Sequence, residues 1–168
     1  MDINIMKKIF RATQPELKTA LEKLFTDSKR DVQVGDGYLY SKGSHPVLLV
    51  AHLDTVHKQQ VNTIMMSEDG TKIMSLEGIG GDDRCGVIII LDILEKLDCS
   101  VVFLEDEEIG CVGAKKFCKS GIDIGEVNYA VEFDILAACF TAMAIWRHRA
   151  NIKRLLSGTE NKFGQKAK

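Results

Sequence analysis

Two short runs leave this chain little freedom in how it folds. Pro46-Val-Leu-Leu-Val-Ala51 and Ser100-Val-Val-Phe-Leu104 are almost unbroken apolar stretches, and each stops abruptly at imidazole or acidic side chains. A strand with one wet face alternates in polarity, so a continuous run predicts a strand covered on both faces. Between the two runs Val87, Ile90, Leu91, Leu94 and Leu97 recur at helical spacing. Strand, helix and strand in that order predict parallel pairing through a helical crossover. Leu17, Ala20, Leu21 and Leu24, with Thr13 as a cap, predict an earlier amphipathic helix across 14–25. Residues 32–34 and 38–40 flank Gly35-Asp36-Gly37 as a hairpin, and a second hairpin is expected across 62–66 and 72–75, turning at Glu68-Asp69-Gly70. A short helix at 114–120 and a strand at 129–133 follow. The fold class is α/β, a three-layer sandwich whose mostly parallel mixed sheet is flanked by helices.

The 168 residues suffice for one core, and 45% hydrophobic against 27% charged residues is the balance of an ordinary globular chain. A net charge of -2 offers no field that would draw nucleic acid. The longest apolar stretch, Ile135 to Trp146, is 12 residues, against roughly 20 for a bilayer span, so stable membrane insertion is not expected. Five cysteines without CxxC spacing, and an N-terminus without a leader-like apolar run, point to reduced thiols and a cytoplasmic location. Charge is uneven: residues 147–168 carry +6 and residues 1–146 carry -8. The expected division is therefore a catalytic-type domain over 1–134, then a divergent apolar helix and basic tail over 135–168.

Acid and imidazole groups cluster in three places, each beside a predicted strand end or helix start: His52-Leu-Asp54, Asp82-Asp83 and Glu105-Asp-Glu-Glu108. In α/β sheets ligands bind beyond the carboxyl ends of the strands, where all three clusters can meet. So many carboxylates in one place raise one another's pKa unless a cation neutralises them, and a divalent metal does so economically. The spacing of His52 and Asp54 lets the aspartate orient the imidazole through its second ring nitrogen. Asp82 and Asp83 precede a helix, where either also serves as an N-cap. Of the adjacent Glu107 and Glu108, one can bind a metal while the other acts as a base for water. His57 is read as a loop histidine outside the site, and Cys85 as a packing residue.

Together, His52-Leu-Asp54-Thr-Val56, Gly80-Gly-Asp-Asp83-Arg-Cys-Gly86 and Glu105-Asp-Glu-Glu-Ile-Gly110 resemble the motifs of the co-catalytic zinc exopeptidases, in particular the peptidase T and carboxypeptidase G2 group. The resemblance covers about residues 10–134. It implies His52, Asp83 and Glu108 as metal ligands, with Asp54 orienting His52 and Glu107 as general acid and base. It implies a further acidic ligand after the next strand, Asp134, with Glu132 as the fallback. One or two zinc ions are implied, cobalt and manganese being chemically acceptable substitutes. The family's late histidine ligand and its lid domain have no recognisable counterpart here; His148, the only histidine after the glutamate pair, lies between two arginines that repel a cation. The fold is thus an incomplete member of that group.

The activity this implies is cleavage of a peptide or amide bond in a small peptide or acylated amino acid, with a second copy of the chain as a further partner. Two other readings stay open: a catalytically impaired metal-binding or oligomerisation module derived from such a peptidase, and an amidase or deacetylase with the same chemistry.

Overall fold

A computed structural model describes residues 2–134 apart from residue 58; of residue 82 only the backbone is described. The segment 135–168, with its expected apolar helix and basic tail, lies outside the described residues. The chain opens with a helix absent from the sequence expectations, α1 (Ile3–Arg11), whose N-terminus is capped by the Asp2 carboxylate accepting the Asn4 N–H at 3.0 Å. Two residues later α2 (Gln14–Asp27) starts from a capping box: Glu16 N–H donates to Thr13 Oγ1, and Thr13 N–H donates to Glu16 Oε2 at 2.8 Å. Leu17, Leu21 and Phe25 of α2 are buried, whereas Ala20 and Leu24 of the expected stripe are exposed, so the buried face is turned toward Phe25.

The strands β1 (Val32–Gly35), β2 (Tyr38–Ser41), β3 (His45–His52), β6 (Cys99–Leu104) and β7 (Tyr129–Glu132) form one sheet in the order β1-β2-β6-β3-β7. β3 runs parallel to both β6 and β7, whereas β2 is antiparallel to β1 and β6. The sheet is thus parallel in its centre and antiparallel toward the hairpin, the mixed form expected. The second hairpin shrinks to two-residue strands, β4 (Met65–Met66) and β5 (Ile73–Met74). Its exposed Met65, Met66 and Met74 have no core to pack on, which explains why so little of it pairs.

Successive residues of the central strands go to opposite layers, as the pleat demands. Leu49, Ala51, Val101 and Phe103 pack with Leu17, Leu21, Phe25, Val87 and Ile90 from α2 and α3 (Gly81–Leu94). Tyr40, Leu48, Val102 and Leu104 pack on the other face against Ala114 and Phe117 of α4 (Val112–Lys119) and the segment after it. All six residues of β6 are buried, the direct result of its two-sided cover. Among the described residues no helix is long and apolar enough to cross a membrane.

Phe103 is fully buried in β6, with its ring 6.0 Å from that of Phe25. Truncating it removes contacts from the largest core cluster and leaves a void between α2 and the sheet. Phe103→Ala is expected to lower unfolding stability by about 3–5 kcal/mol, read from a urea titration.

Candidate metal centre

Register brings the site together. His52, the last residue of β3, pairs with Leu104, the last of β6, and Leu53 N–H continues the ladder to Leu104 O at 2.7 Å. The segment carrying Glu107 and Glu108 therefore begins beside His52 and Asp54. On the other side β7 pairs with β3 through Val50↔Glu132, and Phe133 N–H bonds Val50 O at 2.9 Å. Asp134 thus emerges at the same sheet edge.

Asp54 joins two of these pieces. Its Oδ1 lies 3.3 Å from His52 Nδ1, and its Oδ2 accepts the backbone N–H of Glu108 at 2.9 Å. The carboxylate therefore holds the His52 ring with a Nδ1–H donor and directs Nε2 to the opposite side. Nε2 lies 3.5 Å from Oδ1 of Asp83, which is almost wholly buried. Donor atoms of His52, Glu107 and Glu108 gather within 4.8 Å of one another. Glu107 belongs to this group although the motif resemblance gives it the proton-transfer role. Asp83 touches the group through His52 and through a hydrogen bond with Glu108. Asp134 shares the edge but is not among the three residues whose donor atoms gather.

The helix expected to follow Asp82-Asp83 instead starts at Gly81 and includes both residues. Asp83 is consequently in the first turn of α3 and is not its N-cap; the cap is Gly80, with φ +57° and no side-chain bond. That left-handed backbone and the surrounding space both demand glycine: an added Cβ would fall 2.9 Å from Thr55 Oγ1 and 3.1 Å from Asp83 Oδ2. Placed in the first turn, the Asp83 carboxylate lies where the helix dipole favours negative charge.

The acidic segment is held rigidly. Gly110 and Cys111 N–H groups bond Glu107 O, Val112 N–H bonds Asp106 O, and Gly113 N–H bonds Glu105 O at 2.9 Å. The Lys18 ammonium from α2 pairs with Glu105 and also donates to Gly35 O at 2.9 Å. Gln14 Nε2 bonds Asp106 Oδ1 at 3.2 Å, and Cys111 Sγ lies 3.5 Å from Glu107 Oε1. Lys18, Gln14 and Cys111 went unnoticed in the sequence. Eighty-seven residues separate Lys18 from Glu105 with no pattern linking them, whereas Cys111 stands within the recognisable glycine turn.

Electrostatics mark the cluster. Burial alone would depress the His52 pKa, but the hydrogen bond to Asp54 and the negative charges of Asp83, Asp54 and Glu107 prevail and raise it to about 9. Burial, then the charges of Asp83 and Glu107, raise the Glu108 carboxyl above its ordinary value. For Asp54 burial opposes ionisation, yet hydrogen bonds from His52 and from the Glu108 and Glu107 backbone hold it below the usual carboxylate range. The cluster thus favours a protonated His52, whereas an imidazole bound to a cation would have to be neutral. The donor set, one imidazole and several carboxylates converging with excess negative charge, fits a divalent cation such as zinc, cobalt or manganese.

Fold and cluster define an α/β protein with a histidine–carboxylate centre at the carboxyl edge of its parallel strands. The sequence profile of peptidase family M28 matches residues 37–168, and the chain belongs to that family. The match runs past residue 134, where the recognisable motifs end. A tripeptidase from Staphylococcus aureus subsp. aureus Mu50 superposes with a TM-score of 0.56 at 19% identity, over 79% of this chain and 42% of that one. It shares the fold, and this chain spans about two fifths of its length. Short stretches also match curated glycerol-3-phosphate acyltransferases. One from Halalkalibacterium halodurans is 53% identical over 39 residues, 23% of this chain and 19% of that protein. One from Clostridioides difficile is 66% identical over 32 residues, 19% and 16% of the two chains. The chain spans about a fifth of these acyltransferases or less, too little to carry an activity across.

Because zinc must displace the proton on His52, its apparent affinity should rise with pH up to about 9 and level off above, by at most about tenfold per pH unit for a single proton. Competition with a chromophoric chelator at several pH values checks this. In the metal-free chain the sign is opposite. The raised His52 pKa contributes stability that is complete below about 6.5 and is lost as pH rises through about 9.

Proposed function

We propose that this chain is a metal-dependent hydrolase of the exopeptidase type, cleaving a peptide or amide bond in a small peptide or acylated amino acid. The observation that carries this reading is the gathering of His52, Glu107 and Glu108 within 4.8 Å, beside the buried Asp83. Membership of peptidase family M28 supports it.

In this reading His52, Asp83 and Glu108 hold the ion, and Asp134, brought to the same edge by β7, completes the set. A divalent ion held there supplies a Lewis acid for the scissile carbonyl and lowers the pKa of water. The chain's own residues supply the rest. Asp54 fixes the tautomer and orientation of His52 through the 3.3 Å contact. Glu107, half-buried and tethered by two backbone bonds to its own carbonyl, takes the proton of the attacking water at its carboxylate and returns it to the leaving amine.

Protein purified without chelators is expected to contain zinc or a similar divalent metal by elemental analysis and to hydrolyse members of a di- and tripeptide panel. His52→Ala should lose the metal. Glu107→Gln should lower kcat at least about a hundredfold while the fold is kept, as judged by circular dichroism. Wild-type protein that binds no metal, or a Glu107→Gln variant of unchanged activity, would overturn the proposal. Metal binding without turnover would favour the impaired-module reading.

A further inference from the structure

The run Glu105-Asp-Glu-Glu108 carries four carboxylates in succession, yet among the described residues it is Glu107 and Glu108 whose donor atoms gather with His52. The first two acids are taken by α2. Gln14 and Lys18 stand four residues apart on that helix and so share one face. Lys18 pairs with Glu105, the two side chains being 15% and 14% exposed, and its ammonium also donates to Gly35 O at 2.9 Å. Gln14 Nε2 donates to Asp106 Oδ1 at 3.2 Å. Asp106 has a left-handed backbone, φ +58°, and stands immediately before Glu107. Residues with a side chain seldom adopt that conformation, and it persists only where the surroundings hold it. Here Gln14 holds the side chain of Asp106, and Val112 N–H holds its carbonyl at 3.0 Å.

We propose that Gln14 and Lys18 are positioning residues, a clamp on α2 that keeps Glu105 and Asp106 out of the cluster and thereby fixes Glu107 and Glu108 within it. They act through the backbone of the acidic run rather than on the metal. The clamp gives a sign that bare electrostatics would reverse. Removing the Lys18 ammonium takes away a cation and leaves Glu105 uncompensated, which by Coulomb's law alone tightens the binding of a metal ion nearby. Loss of a clamp weakens it, because the carboxylates are no longer held in place. That the positioned acids serve a metal rests on the hydrolase reading above; that α2 fixes the acidic run does not.

Hydrogen exchange of the metal-free full chain, followed amide by amide by NMR, tests the clamp without a metal. Lys18→Met is expected to speed exchange at Gly110, Cys111, Val112 and Gly113, whose N–H groups bond the carbonyls of residues 105–107, at least about tenfold, while the β3 and β6 amides keep their rates. Lys96→Met, which removes an equal charge from an exposed pair with Asp92, should leave them within about twofold. Titration of the same proteins with cobalt(II) alone, read from its visible absorption, tests the sign. Lys18→Met should weaken cobalt at least about tenfold, and Lys18→Arg, which keeps the charge, should stay within about threefold of the unaltered chain. Cobalt binding in Lys18→Met that is unchanged or tighter overturns the clamp. So does unchanged exchange, or exchange that quickens throughout the sheet. Equal losses in Lys18→Arg and Lys18→Met overturn it as well, because the packing of the stem and not the ion pair is then what matters. If thermal melting shows that Lys18→Met does not fold, Glu105→Gln breaks the same pair from the other side and is judged by the same exchange criterion. A chain that loosens in Lys18→Met yet takes up no cobalt keeps the clamp and loses the metal-dependent reading. One that binds cobalt equally with and without the Lys18 charge does the reverse.

Discussion

The parallel pairing of β3 with β6 is the constraint on which the rest depends. Because His52 ends opposite Leu104, the two strands run out at the same level, and the polar residues that follow each have to share one edge of the sheet. A shift of one residue would turn Leu48 and Leu49 to the wrong layers and point His52 away from Asp83. The apolar packing that excludes such a shift is on both faces: Phe103 and Val101 against α2 and α3, Val102 and Leu104 against α4. The candidate site is therefore positioned by hydrophobic burial some distance from its polar atoms.

Asp54 converts that register into chemistry. One carboxylate aligns the His52 ring and tethers the Glu108 backbone, so the first and last acidic segments of the site are joined by a single side chain. Its own ionisation is protected by those same bonds, whereas Glu108 is pushed toward protonation by burial and by Asp83 and Glu107. Neighbouring carboxylates with opposed shifts are a common mark of a site built to hold a cation or to move a proton. The Lys18–Glu105 pair sits one step behind, where it anchors the acidic segment to α2 and to the β1–β2 turn without entering the cluster.

Much of this was legible in the chain. The unbroken apolar runs announced β3 and β6, and the period of α2 announced a helix but only half of its buried face, since Ala20 and Leu24 stay exposed while Phe25 is buried; the motifs singled out His52, Asp54, Asp83, Glu107 and Glu108. Less legible was α1, whose pattern is short and whose cap, Asp2, sits at the extreme N-terminus. The start of α3 was misplaced because Gly80-Gly81 reads as a turn, while the actual helix uses the left-handed Gly80 as its cap and takes both aspartates into its first turn. Asp134 was named from resemblance, and the β3–β7 pairing carries it to the right edge without bringing it into the gathered donors.

What the sequence by itself determined is the set of local choices: which segments bury both faces, where helices begin to repeat, and which residue types stand at strand ends. These depend on neighbours a few positions apart, and a linear pattern records them. Tertiary structure alone decided which distant groups meet: Lys18 with Glu105, and Gln14 with Asp106. Such pairings follow from how layers stack and where strands end, and they leave no periodic trace because each joins residues tens of positions apart through space.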